Sequence, residues 1–195
     1  MRKGAATRER IIETAAQVFN VHGYHGGSLS ELMARAGLKK GGIYNHFGSK
    51  EELALAAFDH TVSLMMKKIN DAVRPHKTPG KRMNALLDFY LRYALDPPVE
   101  GGCAIMNTLT DSDGTNPGLK ARARAALELL IQRLAGLIQQ GIDSGEFLPN
   151  TDAKSTAVTM AAMIEGGILI SRAFDDIQPM EHVARQIRGI LSMTA

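Results

Sequence analysis

SLSELMARAGLKKGGIYNHF, residues 28–47, reads as two short helices separated by a tight turn. Ser28 and Glu31 have the spacing of a capping box, in which the serine oxygen takes an orphan backbone N–H and the glutamate returns to the helix start. That opens a helix near Leu29 with Leu32 and Met33 facing inward. Gly37 supplies the positive φ of the turn, and the next helix runs from Lys39 or Lys40 to His46. Upstream, Thr7 to His22 forms a support helix whose core face is Ile11, Ile12, Ala15, Ala16 and Phe19, with Gly23 as its stop. Downstream, Gly48 breaks the third helix, and Ser49 with Glu52 opens a long amphipathic helix over Lys50–Val73.

Two short helices on a support helix, rich in Lys and Arg, describe a helix-turn-helix DNA reader. In that geometry Lys39, Lys40, Gly41, Gly42, Tyr44, Asn45 and His46 lie at the DNA face. Glycine costs up to about 1 kcal/mol in a helix interior, so Gly41 and Gly42 favour close backbone approach over stability. Ile43 and Phe47 are core residues that seat this helix against Phe19 and Leu32. Charge agrees: residues 1–50 carry eight Lys or Arg against three Glu, a net of +5, while the other 145 residues carry 15 basic and 17 acidic groups, a net of −2. A basic head on a nearly neutral body points to a polyanion partner for the head alone.

Composition narrows the rest. The chain has 195 residues, 45% hydrophobic, with one Cys and ordinary Gly and Pro content, which fits a folded protein and leaves no intramolecular disulfide. No early apolar run resembles a secretion signal or a membrane span, so the expected compartment is the cytoplasm, with no membrane partner. The remaining segments also read as helices, at about Gly80–Leu95, Cys103–Leu109, Pro117–Gly141, Thr151–Arg172 and Ile177–Met193. The expected fold is therefore all-α with about nine helices: a helix-turn-helix domain over 1–55, then a larger regulatory and dimerisation domain over 56–195.

Ala15 and Phe19, Gly23 and Tyr24, Ser28, Ala36 and Gly37, then Lys40, Gly41, Ile43, Tyr44, His46, Phe47, Lys50, Glu52 and Leu53 make a detailed pattern. With it, residues 8–58 resemble the N-terminal DNA-binding domain of the TetR family of one-component transcriptional regulators. The resemblance implies a homodimer on a palindromic double-stranded DNA operator, usually a repressor released by a small-molecule effector; an activator of the same fold stays open. It assigns Tyr44, His46 and Lys50 to the DNA backbone. By position, Lys40 and Gly41 lie at the groove-facing start and Asn45 on the exposed side. Ser28 or Ser30 adds phosphate hydrogen bonds, and Gly27 stands where the family often has Thr. Arg2, Lys3 and Arg8 could form an arm along the duplex or stay solvated.

In the body, GGCAIMNTLTD at residues 101–111 looks like a segment found in a subset of such regulators. The expected effector is apolar or aromatic, lined by Met65, Phe89, Tyr90, Tyr93, Cys103, Met106, Asn107, Leu127, Ile131, Met163 and Gly167, which singly read as core and collectively as a lining. Cys103, the only thiol, is either a buried apolar residue or the target of an electrophile. The small-residue helix around Ala157, Met160, Ala161, Ile164 and Ile168, with Ile187, Ile190 and Leu191, is the expected dimer face. His60, His76 and His182 have no metal-ligand spacing, so no metal or cofactor is expected. Ser28, His46 and Asp59 do not make a catalytic triad, because His46 belongs to the reading helix and no nucleophile elbow is present. The rival to a DNA reader is a helical interaction protein, which would show no salt-dependent duplex binding.

Overall fold

The structure is a computed structural model describing residues 2–192, with side chains from residue 4. Among these residues there are nine α-helices and no strand. They are α1 (Arg2–Gly26), α2 (Leu29–Ala36), α3 (Lys40–Tyr44), α4 (Lys50–Val73), α5 (Pro79–Leu95), α6 (Ala104–Ser112), α7 (Pro117–Asp143), α8 (Ala153–Phe174) and α9 (Gln178–Ile190). The side chains of Arg2 and Lys3, assigned to a DNA-contacting arm, lie outside the described residues.

Local chemistry sets the boundaries. α1 leaves helical geometry at Gly23 (φ 73°, ψ 171°), the residue read as its stop. The Ser28 hydroxyl accepts the Glu31 N–H at 3.0 Å and starts α2, and Gly37 ends it in the left-handed region at φ 63°. Ser49 accepts the Glu52 N–H at 3.0 Å, and the Glu52 carboxylate reaches back to the Gly48 N–H at 2.7 Å, closing a near-reciprocal cap on α4. Asn116 accepts from the Leu119 N–H at 3.0 Å and starts α7 with Pro117 in the first turn.

The chain packs as two compact units, and the division does not fall at residue 55. The first unit joins residues up to 65 with 99–125; the second joins 66–98 with 126 onward. In the first, Ile11, Leu32, Ile43, Phe47 and Leu53 share one core with Val99. A polar latch ties the same unit together. The Asn20 amide donates to the carbonyls of Glu100 (2.6 Å) and Gly102 (3.1 Å), and the Asn107 amide donates to Gly101 O (2.9 Å) and to Asn20 O and Oδ1 (both 3.2 Å). Asp111 on α6 accepts the Tyr24 N–H at 2.7 Å. Gly101 has φ 109°, and a Cβ there would lie 2.4 Å from the Asn20 carbonyl oxygen, so this loop can pass α1 only as glycine. These contacts draw α6 and the start of α7 into the head.

In the second unit α5, α8 and α9 pack on one another. α8 is long and apolar enough to cross a membrane by length and composition, but here it is a core helix whose Ala157, Met160, Ala161, Ile164 and Ile168 are buried. A Cβ at Gly167 would lie 2.8 Å from the Met180 sulfur, so that glycine lets α9 approach closely.

Candidate nucleic-acid interface

α3 has two faces. Ile43 and the following Phe47 are 2% and 1% exposed and belong to the head's core, which fixes the helix on α1 and α2. Lys40, Gly41, Tyr44 and Asn45, spaced i, i+1, i+4 and i+5, share the opposite face and are exposed, as is Lys39 before them. Tyr44 is 42% exposed, and the Lys40 ammonium sits 5.9 Å from its ring centroid, within cation–π range. A Cβ at Gly41 would meet nothing within 4 Å. Gly42 is half-buried against Leu38 and His46 is half-buried, so these two stand back from the open face.

The surroundings modify this picture residue by residue. Ser28 spends its oxygen on the α2 cap, which leaves its O–H to donate outward; Ser30 is exposed. Glu31 does not complete the expected capping box. Its carboxylate pairs with Arg35 at 2.8 Å and lies 3.3 Å from His22, so Arg35 is matched locally, whereas Lys39 and Lys40 make no ion pair among the described residues. Arg8 lies over the Phe47 ring at 4.8 Å and is part of α1 rather than of a free arm. Gly27 is buried, and a Cβ there would come within 2.6 Å of the Phe19 ring, so a threonine would displace Phe19.

Lys50 is the largest departure. A cation in the first turn of α4 opposes the helix dipole. Its ammonium lies over Tyr24 at 4.7 Å and Phe19 at 5.8 Å; burial lowers its pKa, and the Asp111 carboxylate opposes that shift. Lys50 therefore has internal partners without any phosphate.

Two family models match the chain: "Bacterial regulatory proteins, tetR family" over residues 11–57 and "Tetracyclin repressor-like, C-terminal domain" over 79–187. The chain belongs to the TetR family. A TetR regulator from Chloroflexus aurantiacus J-10-FL is 41% identical, with a TM-score of 0.93 over 98% of this chain and 97% of its own. A TetR-family regulator from Cytophaga hutchinsonii is 33% identical, with a TM-score of 0.88 over 98% and 96%. The HTH-type transcriptional regulator LmrA of Bacillus subtilis (strain 168) is 28% identical over 95% of this chain and 96% of its own. The protein is thus a helix-turn-helix transcriptional regulator, from a family of regulators rather than enzymes.

Within this TetR fold the expected dimer and effector residues are placed differently from their reading in sequence. Ala157, Met160, Ala161, Ile164, Ile168, Ile187 and Leu191 are buried inside their own chain, because the small residues of α8 admit α9 and α5; of that set only Ile190 is exposed. The large apolar side chains that α8 leaves in solvent are Val158, Leu169, Ile170 and Phe174, with Leu169 and Phe174 70% and 73% exposed. Of the expected effector lining, Met65, Phe89, Tyr90, Tyr93 and Gly167 are closed in core packing, while Met106, Leu127, Ile131 and Met163 are half-buried. Asn107 belongs to the α1–α6 latch. Cys103 is 6% exposed at the start of α6, the buried alternative. A cavity of about 670 Å³ opens instead in the second unit, between α4, α5 and α7, and includes none of those residues. Periodicity could not find it, since one wall, residues 130–140 of α7, is more than 40 residues from the other two, 66–74 and 82–86.

Proposed function

We propose that this chain is a cytoplasmic, homodimeric repressor whose two α3 helices hold a palindromic operator until a largely apolar or aromatic small molecule binds the C-terminal unit. The observation that carries the reading is the two-faced α3, with Ile43 and Phe47 locked in the core and Lys40, Gly41, Tyr44 and Asn45 open on the other side. Lys39, Lys40 and Tyr44 hold phosphates, Ser28 and Ser30 add hydroxyl contacts, and Asn45 meets base edges. The head alone, residues 1–55 in the expected division, would not carry the latch residues of α6. Dimerisation uses the exposed stripe of α8, Val158, Leu169, Ile170 and Phe174, with Ile190 of α9. Paired reading helices then meet successive major grooves about 34 Å apart.

Selection of bound genomic fragments followed by fluorescence anisotropy tests the DNA reading. Binding to a palindromic fragment that weakens steeply with salt is expected; duplex binding without salt dependence or sequence preference overturns it. Transcripts of the adjacent gene rise on deletion of a repressor, and a fall would assign activation. In light scattering, Leu169→Glu with Phe174→Glu gives a folded monomer if the α8 stripe is the interface; an unchanged dimer removes that assignment.

A further inference from the structure

The cavity between α4, α5 and α7 has an apolar floor of Ile69, Leu86, Leu130 and Leu134 and a rim carrying Arg74, Arg82 and Arg133. No Asp or Glu is among its lining residues. Arg82 is held in place by donating to the His76 carbonyl at 2.9 Å and to Gln140 at 3.2 Å, which leaves most of its five N–H donors unused. Arg74 and Arg133 are exposed and make no ion pair among the described residues, including with Asp71 three residues before Arg74 on α4. Three guanidinium groups without a carboxylate are unexpected in a body whose formal charge is −2 over residues 51–195. Gly136 lines the same cavity, and a Cβ there would meet nothing within 4 Å. At about 670 Å³ the space is within the usual range for a small-molecule site.

We propose that this groove binds an amphipathic anion: an apolar chain or ring system lies on the leucine and isoleucine floor, and its single carboxylate or phosphate is taken by the arginine rim. Guanidinium forks match such oxyanions bidentately, and a neutral ligand of the same shape would leave the rim unused. The proposal rests on the C-terminal unit being the effector unit, and it gives that effector a charged head.

Calorimetry on the 195-residue chain with dodecanoate, dodecyl phosphate and dodecanol tests it without DNA. Saturable binding of at least one of the two anions, about tenfold or more tighter than dodecanol, is expected; the stronger anion names the head group. Arg74→Gln with Arg133→Gln should weaken that anion by about tenfold and leave dodecanol unchanged. Gly136→Leu should weaken both while raising or preserving the melting temperature, since it fills open space and removes a helical glycine. Equal binding of anion and alcohol, unchanged affinity in the double arginine variant, or no saturable anion binding overturns the proposal. A protein that binds the anion but no operator sinks the repressor reading alone; one that binds operator but neither anion sinks this one alone.

Discussion

Gly41 on α3 and Gly136 on α7 are both helical glycines around which a Cβ would meet nothing within 4 Å, yet they open onto different things. Gly41 sits on a five-residue helix and faces outward, next to Lys40, Tyr44 and Asn45, while Ile43 on the other face is locked in the core. Gly136 sits in a 27-residue helix and opens onto a groove. The head keeps its functional face rigid by burying everything behind it. The second unit keeps room inside, at the expense of helix stability. In the proposed reading, the missing side chain at Gly41 leaves room for DNA to approach and the one at Gly136 leaves room for a ligand.

The strongest way to break the contrast is to remove the seat of the reader. Phe47→Ala should cost about 3–5 kcal/mol and abolish operator binding together with cooperative melting of the head. Thermal denaturation with anisotropy checks this; retained affinity would mean that the seat is not what holds α3. Next is Gly101→Ala, which drives a Cβ into the Asn20 carbonyl at an unfavourable φ. It should cost about 2–3 kcal/mol, visible as a melting point lower by several degrees, although residue 101 is far from the reader in sequence.

Lys40 is exposed on α3, whereas Lys50 is held against Tyr24 and Phe19. Lys40→Ala should lower the salt slope of operator binding by about one. Lys50→Ala should leave the slope nearly unchanged and lower stability by about 0.5–1 kcal/mol, the scale of the cation–π contacts it loses with Tyr24 and Phe19. Equal slopes for the two variants would return Lys50 to the phosphate set. The smallest effect is Gly41→Ala, a gain of up to about 1 kcal/mol in stability paired with weaker operator affinity. Unchanged affinity would show that the space around Gly41 is not used by DNA.

Much of this was legible in residues 28–53, where capping serines, Gly37 and a short polar helix fix both the turn and the exposed face through contacts a few residues apart. α4 and its Ser49 start could be read for the same reason. The interactions that escaped are those between distant segments. The Asn20–Glu100 and Tyr24–Asp111 hydrogen bonds span 80 and 87 residues, and no periodicity carries them. On α8 the pattern showed an apolar helix all round, and periodicity alone cannot say which of two apolar faces meets the same chain. The stripe from Ala157 to Ile168, which the pattern marks as apolar, is buried within its own chain. The arginine rim is scattered over the turn after α4, α5 and α7, although Arg133, with Leu129, Leu130, Gly136 and Leu137 as its helical neighbours, had no acidic partner at the spacings that usually supply one.

The glycine passage at residue 101 has a bearing on modularity. Regulators of this type invite recombination by joining one protein's reader to another's sensor near the start of α4, as though residues 1–57 were a detachable cassette. Here Val99 completes the reader's core, and Asn107 and Asp111 hold the end of its first helix. A chimera spliced after residue 57 would inherit a reader lacking those three partners. The inherited piece has to be discontinuous, carrying residues 99–112 along with the head.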